Sequence, residues 1–292
     1  MGILTELSLF TGGLAGFSLG LKLTGLPIRT VCYVEWDKYR QGIIKARIRD
    51  GCLNDAPIWD DINTFDGSEW RGSVDIITGG FPCQPHSTAG RRKGAEDSRN
   101  LWPQTCRVIS DVGARFVYLE NVPGITQFSK KQGRAPYALT VLRDLASLGY
   151  DAVWGTMGAR DVGAPHRRDR WLILAYSPKQ GLERGELQKE AWVWSQQSRI
   201  GLKQLGNSNG EGSYKLPPWP PSPTSNDWAG ILVEHPELSP ATEIEPSVRG
   251  MAHGRSNRVD RLKALGDGVI PAVVSKFWQI AYSLIADIEE EE

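Results

Sequence analysis

The sequence lacks net charge, paired cysteines and long apolar runs, and each absence argues against a class of protein. Lys plus Arg and Asp plus Glu each number 34 among 292 residues, so binding to a polyanion would require positive charge concentrated locally. The four cysteines form no CxxC pair and have no histidine at metal-ligand spacing, which argues against a disulfide framework or a metal site and indicates a reducing cytoplasm. No apolar run is as long as a membrane span, and the first residues lack the basic start of a signal peptide.

Short apolar runs alternate with amphipathic segments along the first 176 residues. We predict strands at Leu7–Phe10, Arg29–Val34, Val74–Thr78, Arg115–Leu119, Asp151–Met157 and Trp171–Tyr176, and the clearest helix at Tyr137–Leu148. This alternation predicts an α/β fold with a mostly parallel sheet and helices on both faces. Ligands of such sheets bind at the carboxyl ends of the strands.

The composition changes at about residue 177. Half of the 18 prolines fall between residues 177 and 254, and helical or strand periodicity is weak there. Regular structure is expected again from residue 258, with a turn at 266–270, a helix at Pro271–Ile285 and a solvated acidic tail. We therefore predict one domain from 1–176 together with 258–292, and a smaller irregular region at 177–257.

The most informative string is GGFPCQP, at residues 79–85. It places Cys83 after a predicted strand, between prolines and glycines, on a stiff and exposed turn. A thiolate held in this way reaches an electrophile without rearrangement, which is what a nucleophile requires.

Three strings in order resemble the motifs of DNA cytosine-C5 methyltransferases of the phage or restriction-modification type. They are GGFPCQ at 79–84, ENV at 120–122 and HRRDR at 166–170, where His166 replaces the glutamine usual in the family. Three motifs in the family's order are far more specific than any one of them. The resemblance covers roughly residues 1–175 and 258–285.

The resemblance implies a Rossmann-like fold that binds S-adenosyl-L-methionine, and a covalent mechanism. Cys83 would attack C6 of a cytosine flipped out of double-stranded DNA, so that C5 becomes nucleophilic and takes the methyl group. Glu120 would contact N3, while Arg168 and Arg170 would orient the base and the loop that closes over it. The region 177–257 would recognise the target sequence.

The same resemblance assigns the cofactor site. The Gly-rich turn contributes Phe10, Gly12 and Gly13, although Leu14 or Ala15 stands where a glycine is usual. Glu35 suits the ribose hydroxyls, and Trp36 either stacks on adenine or packs in the core. The other assigned residues are Asp61, Ile62, Pro82, Leu101, Asp267 and Val269; Asp267 replaces the family's asparagine and cannot donate a hydrogen bond when ionised.

Local positive charge indicates where DNA would bind. Arg91, Arg92 and Lys93 follow the nucleophile in a Gly- and Ser-rich stretch. The residues expected to contact DNA are Gln84, Ser87, Arg91, Arg92, Lys93 and Arg167. We expect a monomer that needs no membrane, in the cytoplasm of a bacterium or of a phage-infected host cell.

Three other functions remain open from the sequence. An RNA cytosine-C5 methyltransferase would use the same chemistry, but Gln84–Pro85 and the insertion at 177–257 favour DNA. A catalytically inactive DNA-binding relative would need no nucleophile. A dinucleotide oxidoreductase would account for the Gly-rich turn and Glu35, but leaves Cys83 unexplained.

Overall fold

The structure is a computed structural model that describes residues 2–82, 100–128, 135–164, 166, 168–178 and 268–291, with side-chain surroundings up to 286. Several expected site residues lie outside the described residues. They are Cys83, Gln84, Ser87, Arg91, Arg92, Lys93, Arg167 and Asp267. Nearly all of the region 177–257 lies outside them as well.

Within the described residues, seven strands form one sheet in the order β3-β2-β1-β4-β5-β7-β6. The strands are β1 Leu4–Leu9, β2 Ile28–Val34, β3 Ile58–Trp59, β4 Ile76–Gly80, β5 Phe116–Asn121, β6 Asp151–Met157 and β7 Arg170–Tyr176. The helices are α1 Gly16–Lys22, α2 Lys38–Arg49, α3 Trp102–Val112, α4 Tyr137–Ser147 and α5 Pro271–Glu291, with 3-10 turns at Ser68–Trp70, Pro123–Thr126 and Ala159–Val162. The strands β1 to β5 pair in parallel, whereas β7 is antiparallel to both β5 and β6.

The predicted α/β class and all six predicted strands are confirmed, but several boundaries were wrong. β4 continues through Gly80 and β5 through Asn121, because Gly80 pairs with Glu120 and Asn121 pairs with Trp171. The two-residue strand β3 was not predicted. Helix α5 runs to Glu291 instead of Ile285, since glutamate is a good helix former and the acidic tail extends the helix.

Helices cover both faces of the sheet, as expected. Successive strand residues point to opposite faces. Ile76 packs in one core with side chains of α1 and α5, whereas Ile77 packs in another with side chains of α3 and α4. No helix in the described ranges is both long and apolar enough to cross a membrane.

The last helix closes against the first through glycine. A Cβ on Gly20 of α1 would lie 2.5 Å from Cβ of Val274 in α5, and a Cβ on Gly16 would lie 2.2 Å from the carbonyl oxygen of Val269. Tyr118 of β5 donates a hydrogen bond of 2.7 Å to the carbonyl of Val274. The segment that starts at Gly268 therefore packs on the N-terminal part of the fold.

A carboxyl group lies buried in the central strand. Glu6 is fully buried in β1 and accepts hydrogen bonds of 2.6 Å from the hydroxyls of Thr30 and Thr78, one on each neighbouring strand. Burial raises the pKa of Glu6 above its ordinary value of 4.5, and the two hydroxyls partly oppose this rise.

Candidate active site and cofactor site

The expected site residues that the structure describes collect at the carboxyl ends of the parallel strands. Gly12 follows β1, Glu35 follows β2, and Glu120 lies at the end of β5 beside the end of β4. This edge of the sheet is the place where an α/β fold binds its ligands. We call it the catalytic edge.

Glu120 and Arg170 form an ion pair at this edge. Their Oε1 and Nε atoms are 2.5 Å apart, and the two side chains are only 11% and 19% exposed. The second carboxylate oxygen lies beside Gly80, where a Cβ would approach it to 2.9 Å. The carboxylate of Glu120 is therefore confined between a cation and a strand that carries no side chain at that point.

Asn121 connects the ends of β5 and β4. Its buried amide donates a hydrogen bond of 2.9 Å to the carbonyl of Phe81, and its amide oxygen accepts one of 2.9 Å from the backbone N–H of Val122. The ring of Phe81 is buried against Trp102 of α3, at 5.1 Å between ring centroids. The chain is thus fixed up to Pro82, which is half-buried and directly precedes Cys83.

The two arginines expected to be catalytic have different partners. Arg168 donates to the carbonyl of Gly268, and its backbone lies in the left-handed region with φ of 37°. Arg170 pairs with Glu120 and also donates to the carbonyl of Asp169 at 2.9 Å. His166, where the family usually has glutamine, is exposed. The structure therefore brings Glu120 and Arg170 together and connects Arg168 to the segment that leads into α5.

The Gly-rich turn and the acid after β2 are joined directly. Glu35 is buried, and its two carboxylate oxygens accept from the backbone N–H groups of Gly12, at 2.8 Å, and Asp37, at 2.9 Å. Burial raises the pKa of Glu35, and these two hydrogen bonds act in the opposite direction. Gln41 was not predicted for this site, although its side-chain amide donates to the carbonyl of Glu35 at 2.5 Å.

The departure from the usual glycine pattern has a conformational consequence. Ala15 has a φ of 45° and Phe10 a φ of 49°, both in the left-handed region that favours glycine. Gly12 also has a positive φ, of 68°. The turn thus adopts a glycine-like conformation at Ala15 without a glycine.

The residues expected to contact adenine have unequal exposure. Trp36 is 77% exposed, so its alternative role as a core residue is wrong and its ring is available to a ligand. Asp61 is half-buried, whereas Ile62 is 4% exposed and belongs to the core. Leu101 is half-buried before α3, and Val269 is buried against Gly16.

Two side chains that the sequence analysis missed bind the loop that contains Asp61. Trp59 ends β3 and Arg107 lies in the middle of α3. Only its position two residues before Asp61 could have drawn attention to Trp59, and nothing in the sequence marks Arg107. Within the described ranges, no group of three His, Cys, Asp or Glu side chains is placed to hold a metal ion.

Comparisons with known proteins agree with the family that the sequence motifs resemble. The family model of C-5 cytosine-specific DNA methylases matches residues 4–217. The type II methyltransferase M.CviJI of Paramecium bursaria Chlorella virus IL3A is 32% identical over 180 residues, which are 60% of this chain and 44% of that protein. The type II methyltransferase M.BsuFI of Bacillus subtilis is 32% identical over 180 residues, covering 61% of this chain and 41% of that protein.

A solved structure of a protein described as a DNA modification methyltransferase, encoded within a prophage of E. coli, is 26% identical. The alignment has a TM-score of 0.48 and covers 63% of this chain and 49% of that one. This chain thus spans less than half the length of the two curated relatives.

The family match extends over more than half of the chain and includes the Gly-rich turn and the strings GGFPCQ, ENV and HRRDR. It implies S-adenosyl-L-methionine as the cofactor, as the sequence analysis expected. The mostly parallel sheet, with β7 antiparallel to β5, agrees with the methyltransferase fold expected from the motifs. The chain belongs to the C-5 cytosine-specific DNA methylase family.

Proposed function

We propose that the protein transfers a methyl group from S-adenosyl-L-methionine to C5 of a cytosine within a specific sequence of double-stranded DNA. The observation that carries this proposal is the ion pair of Glu120 with Arg170, beside the strand end that leads into Cys83. Addition to a cytosine ring requires a nucleophile, here Cys83, and an acid at N3, here Glu120. Arg170 is the cation that orients that acid. A binding protein would need none of the three.

The reaction begins with the target base outside the helix. The Cys83 thiolate adds to C6, which moves an electron pair towards C5 and makes C5 enamine-like. When bound, S-adenosyl-L-methionine supplies an electrophilic methyl group. C5 takes this methyl group, with S-adenosylhomocysteine as the leaving group. The C5 proton then leaves to a base, the bond between sulfur and C6 breaks to regenerate the thiolate, and N3 returns its proton to Glu120.

Glu120 assists the addition by holding a proton at N3. Protonation of N3 draws electron density from the ring and makes C6 more electrophilic. Arg170 fixes the orientation of the Glu120 carboxylate through Oε1 and leaves the second oxygen towards Gly80. A glycine at position 80 avoids the close approach that a side chain there would make to that oxygen.

The residues present fit the proposed cofactor. Glu35 already orients its carboxylate by accepting from Gly12 and Asp37, and each oxygen retains a lone pair for a ribose hydroxyl. Trp36 offers an exposed ring for the adenine. Asp61 would accept a hydrogen bond from the adenine amine. Phe10, Gly13, Pro82, Leu101, Asp267 and Val269 complete the proposed site.

The interaction with DNA is proposed on the sequence alone. Gln84, Ser87 and Arg167 would lie near the flipped base, and Arg91, Arg92 and Lys93 would contact phosphates. The region 177–257 would read the sequence. We propose that the protein acts as a monomer.

The test is the methylation of plasmid DNA in a host that expresses the chain and has no cytosine methyltransferase of its own. Bisulfite sequencing should show protected cytosines within one short sequence, and none in a host that expresses Cys83→Ser. The proposal would be contradicted if the protein, purified or expressed in the host, methylated RNA but not DNA.

A further inference from the structure

The loop at residues 61–65, which follows β3 and carries Asp61, is held by side chains from outside it. We call it the adenine loop. The indole N–H of Trp59 donates to the carbonyl of Asp61 at 3.0 Å and is 3.1 Å from the hydroxyl oxygen of Thr64. The ring of Trp59 also meets the ring of Phe65 edge to face, at 5.9 Å between centroids.

A second side chain, from α3, also binds the adenine loop. Arg107 of α3 donates to the carbonyl of Ile62 at 2.7 Å and to the carbonyl of Phe65 at 2.9 Å. Asp111, one turn further along α3, accepts from the same guanidinium at 3.1 Å. A planar, forked donor can bind two carbonyls in one fixed geometry, which a lysine ammonium does not reproduce.

These contacts leave one oxygen of Asp61 for a ligand. Oδ1 accepts from the backbone N–H of Asn63 at 2.9 Å and from its side-chain amide at 2.7 Å. In the described part of the chain, Oδ2 makes no such bond. The loop therefore uses one carboxylate oxygen for its own turn and presents the other.

We propose that Trp59 and Arg107 are positioning residues that hold Asp61 so that the site selects a purine with an amino group at C6. This inference rests on the cofactor site proposed above. An amino group donates to Oδ2, whereas a carbonyl at C6 sets an acceptor against an acceptor. A carboxylate fixed in advance loses less conformational entropy on binding, so its discrimination is larger than that of a mobile one.

Two substitutions test the role without removing Asp61. Trp59→Phe keeps a ring against Phe65 but removes the indole donor. Arg107→Lys keeps the positive charge beside Asp111 but loses the fork. The matched control is Arg71→Lys, because Arg71 donates to the carbonyl of Ser110 at 2.7 Å and makes no hydrogen bond to the adenine loop.

The measurement is calorimetric binding of S-adenosylhomocysteine and of S-inosylhomocysteine to the complete protein without DNA. We expect Trp59→Phe and Arg107→Lys to lower the affinity for S-adenosylhomocysteine by about 10-fold, which corresponds to one hydrogen bond to a charged group. The affinity for S-inosylhomocysteine should change little. The affinity for the adenosyl compound divided by that for the inosyl compound therefore falls in both variants and stays unchanged in Arg71→Lys. Asp61→Asn, which offers an amide donor in place of Oδ2, should move the ratio towards the inosyl compound.

Equal weakening of both compounds, or an unchanged ratio in the two variants, would overturn the positioning role. Failure of the unaltered protein to bind either compound, while its unfolding curve shows that it is folded, would instead reject the proposed cofactor site. The two failures are thus distinguished by the unaltered protein.

Discussion

Arg170 contacts Glu120 from a strand that runs in the opposite direction. Its Nε lies 2.5 Å from Oε1 of Glu120, although Glu120 lies at the end of β5 and Arg170 at the start of β7. Because β7 is antiparallel to β5, the beginning of one strand meets the end of the other. A parallel strand at this place would have put Arg170 at the opposite edge of the sheet.

Replacing Glu120 by glutamine should lower the rate of methyl transfer strongly and change DNA affinity little. The amide still reaches N3 but cannot hold a proton there, and assistance of this kind contributes roughly 10²- to 10⁴-fold. Single-turnover rates at saturating DNA, with binding measured separately, check this. Equal rates for the two proteins would remove Glu120 from the reaction.

The ion pair should also show thermodynamic coupling. Arg170→Met leaves the buried Glu120 carboxylate without its cation, whereas Arg170→Met with Glu120→Gln leaves no charge to compensate. We expect a coupling free energy of about 1 kcal/mol or more from urea unfolding of the two single variants and the double variant. Additive effects would mean that the two side chains do not stabilise each other.

Two helical glycines should respond oppositely to alanine. In Gly20→Ala the new methyl group would lie 2.5 Å from Val274, so we expect destabilisation by about 1–3 kcal/mol. Gly42 of α2 has no atom within 4 Å of the same position, and alanine there should stabilise the helix by about 0.5–1 kcal/mol. Thermal or urea unfolding compares the stabilities of the two variants. If Gly42→Ala lost stability and Gly20→Ala did not, the packing of α1 on α5 would be contradicted.

The stability of Glu6→Gln relative to the unaltered chain should increase as the pH rises above about 4.5. The pKa of Glu6 is raised by burial, so the folded state binds a proton that the unfolded state loses above about 4.5. The contribution of Glu6 is fully present below that pH and is lost as the pH rises through the folded pKa. The stability of the variant relative to the unaltered protein should therefore increase as the pH rises above about 4.5, until the pH passes the raised folded-state pKa of Glu6.

Urea unfolding at several pH values checks this difference, with Glu69→Gln as the control on an exposed carboxylate. A difference that does not change with pH would mean that Glu6 titrates alike in both states. Because only the difference between two proteins is used, the raised pKa of Glu35 cancels from the comparison.

A target site with 5-fluorocytosine should trap the protein on DNA. Fluorine does not leave as a cation, so the elimination that frees Cys83 is blocked after the methyl group has been transferred. The trapped complex should appear on a denaturing gel only with S-adenosyl-L-methionine and never with Cys83→Ser. A preparation that methylates ordinary DNA but gives no such band would refute the covalent route.

The sequence predicts the residues with proposed chemical roles more readily than the residues that hold them in position. Glu35 and Glu120 follow or end apolar runs, so strand periodicity alone places them at the catalytic edge. Arg107 acts on the adenine loop through contacts that depend on how α3 packs against that loop, between residues as far as 45 positions apart. No local pattern encodes such a contact.

Glu6 illustrates a second limit of sequence patterns. A glutamate in a strand indicates an exposed face, since this side chain is rarely buried without partners. Here the partners are Thr30 and Thr78, which join Glu6 only when three strands align in register. The predicted strand began at Leu7, whereas β1 also includes the residues from Leu4 to Glu6.

The reversed direction of β7 has a consequence for replacing the segment between residues 178 and 268. The chain leaves the sheet at Ser177, whose N–H donates to the carbonyl of Arg115 at the edge away from the catalytic edge, and it returns at Gly268, which contacts Arg168 and Leu14. Seven residues of β7 separate these junctions by roughly 20 Å. A graft that changes the length of the first junction alters a tether far from the chemistry, whereas the same change at the second would shift the support of Arg168 and of the Gly-rich turn together. The two joints are thus unequal, and recombination has freedom at only one of them.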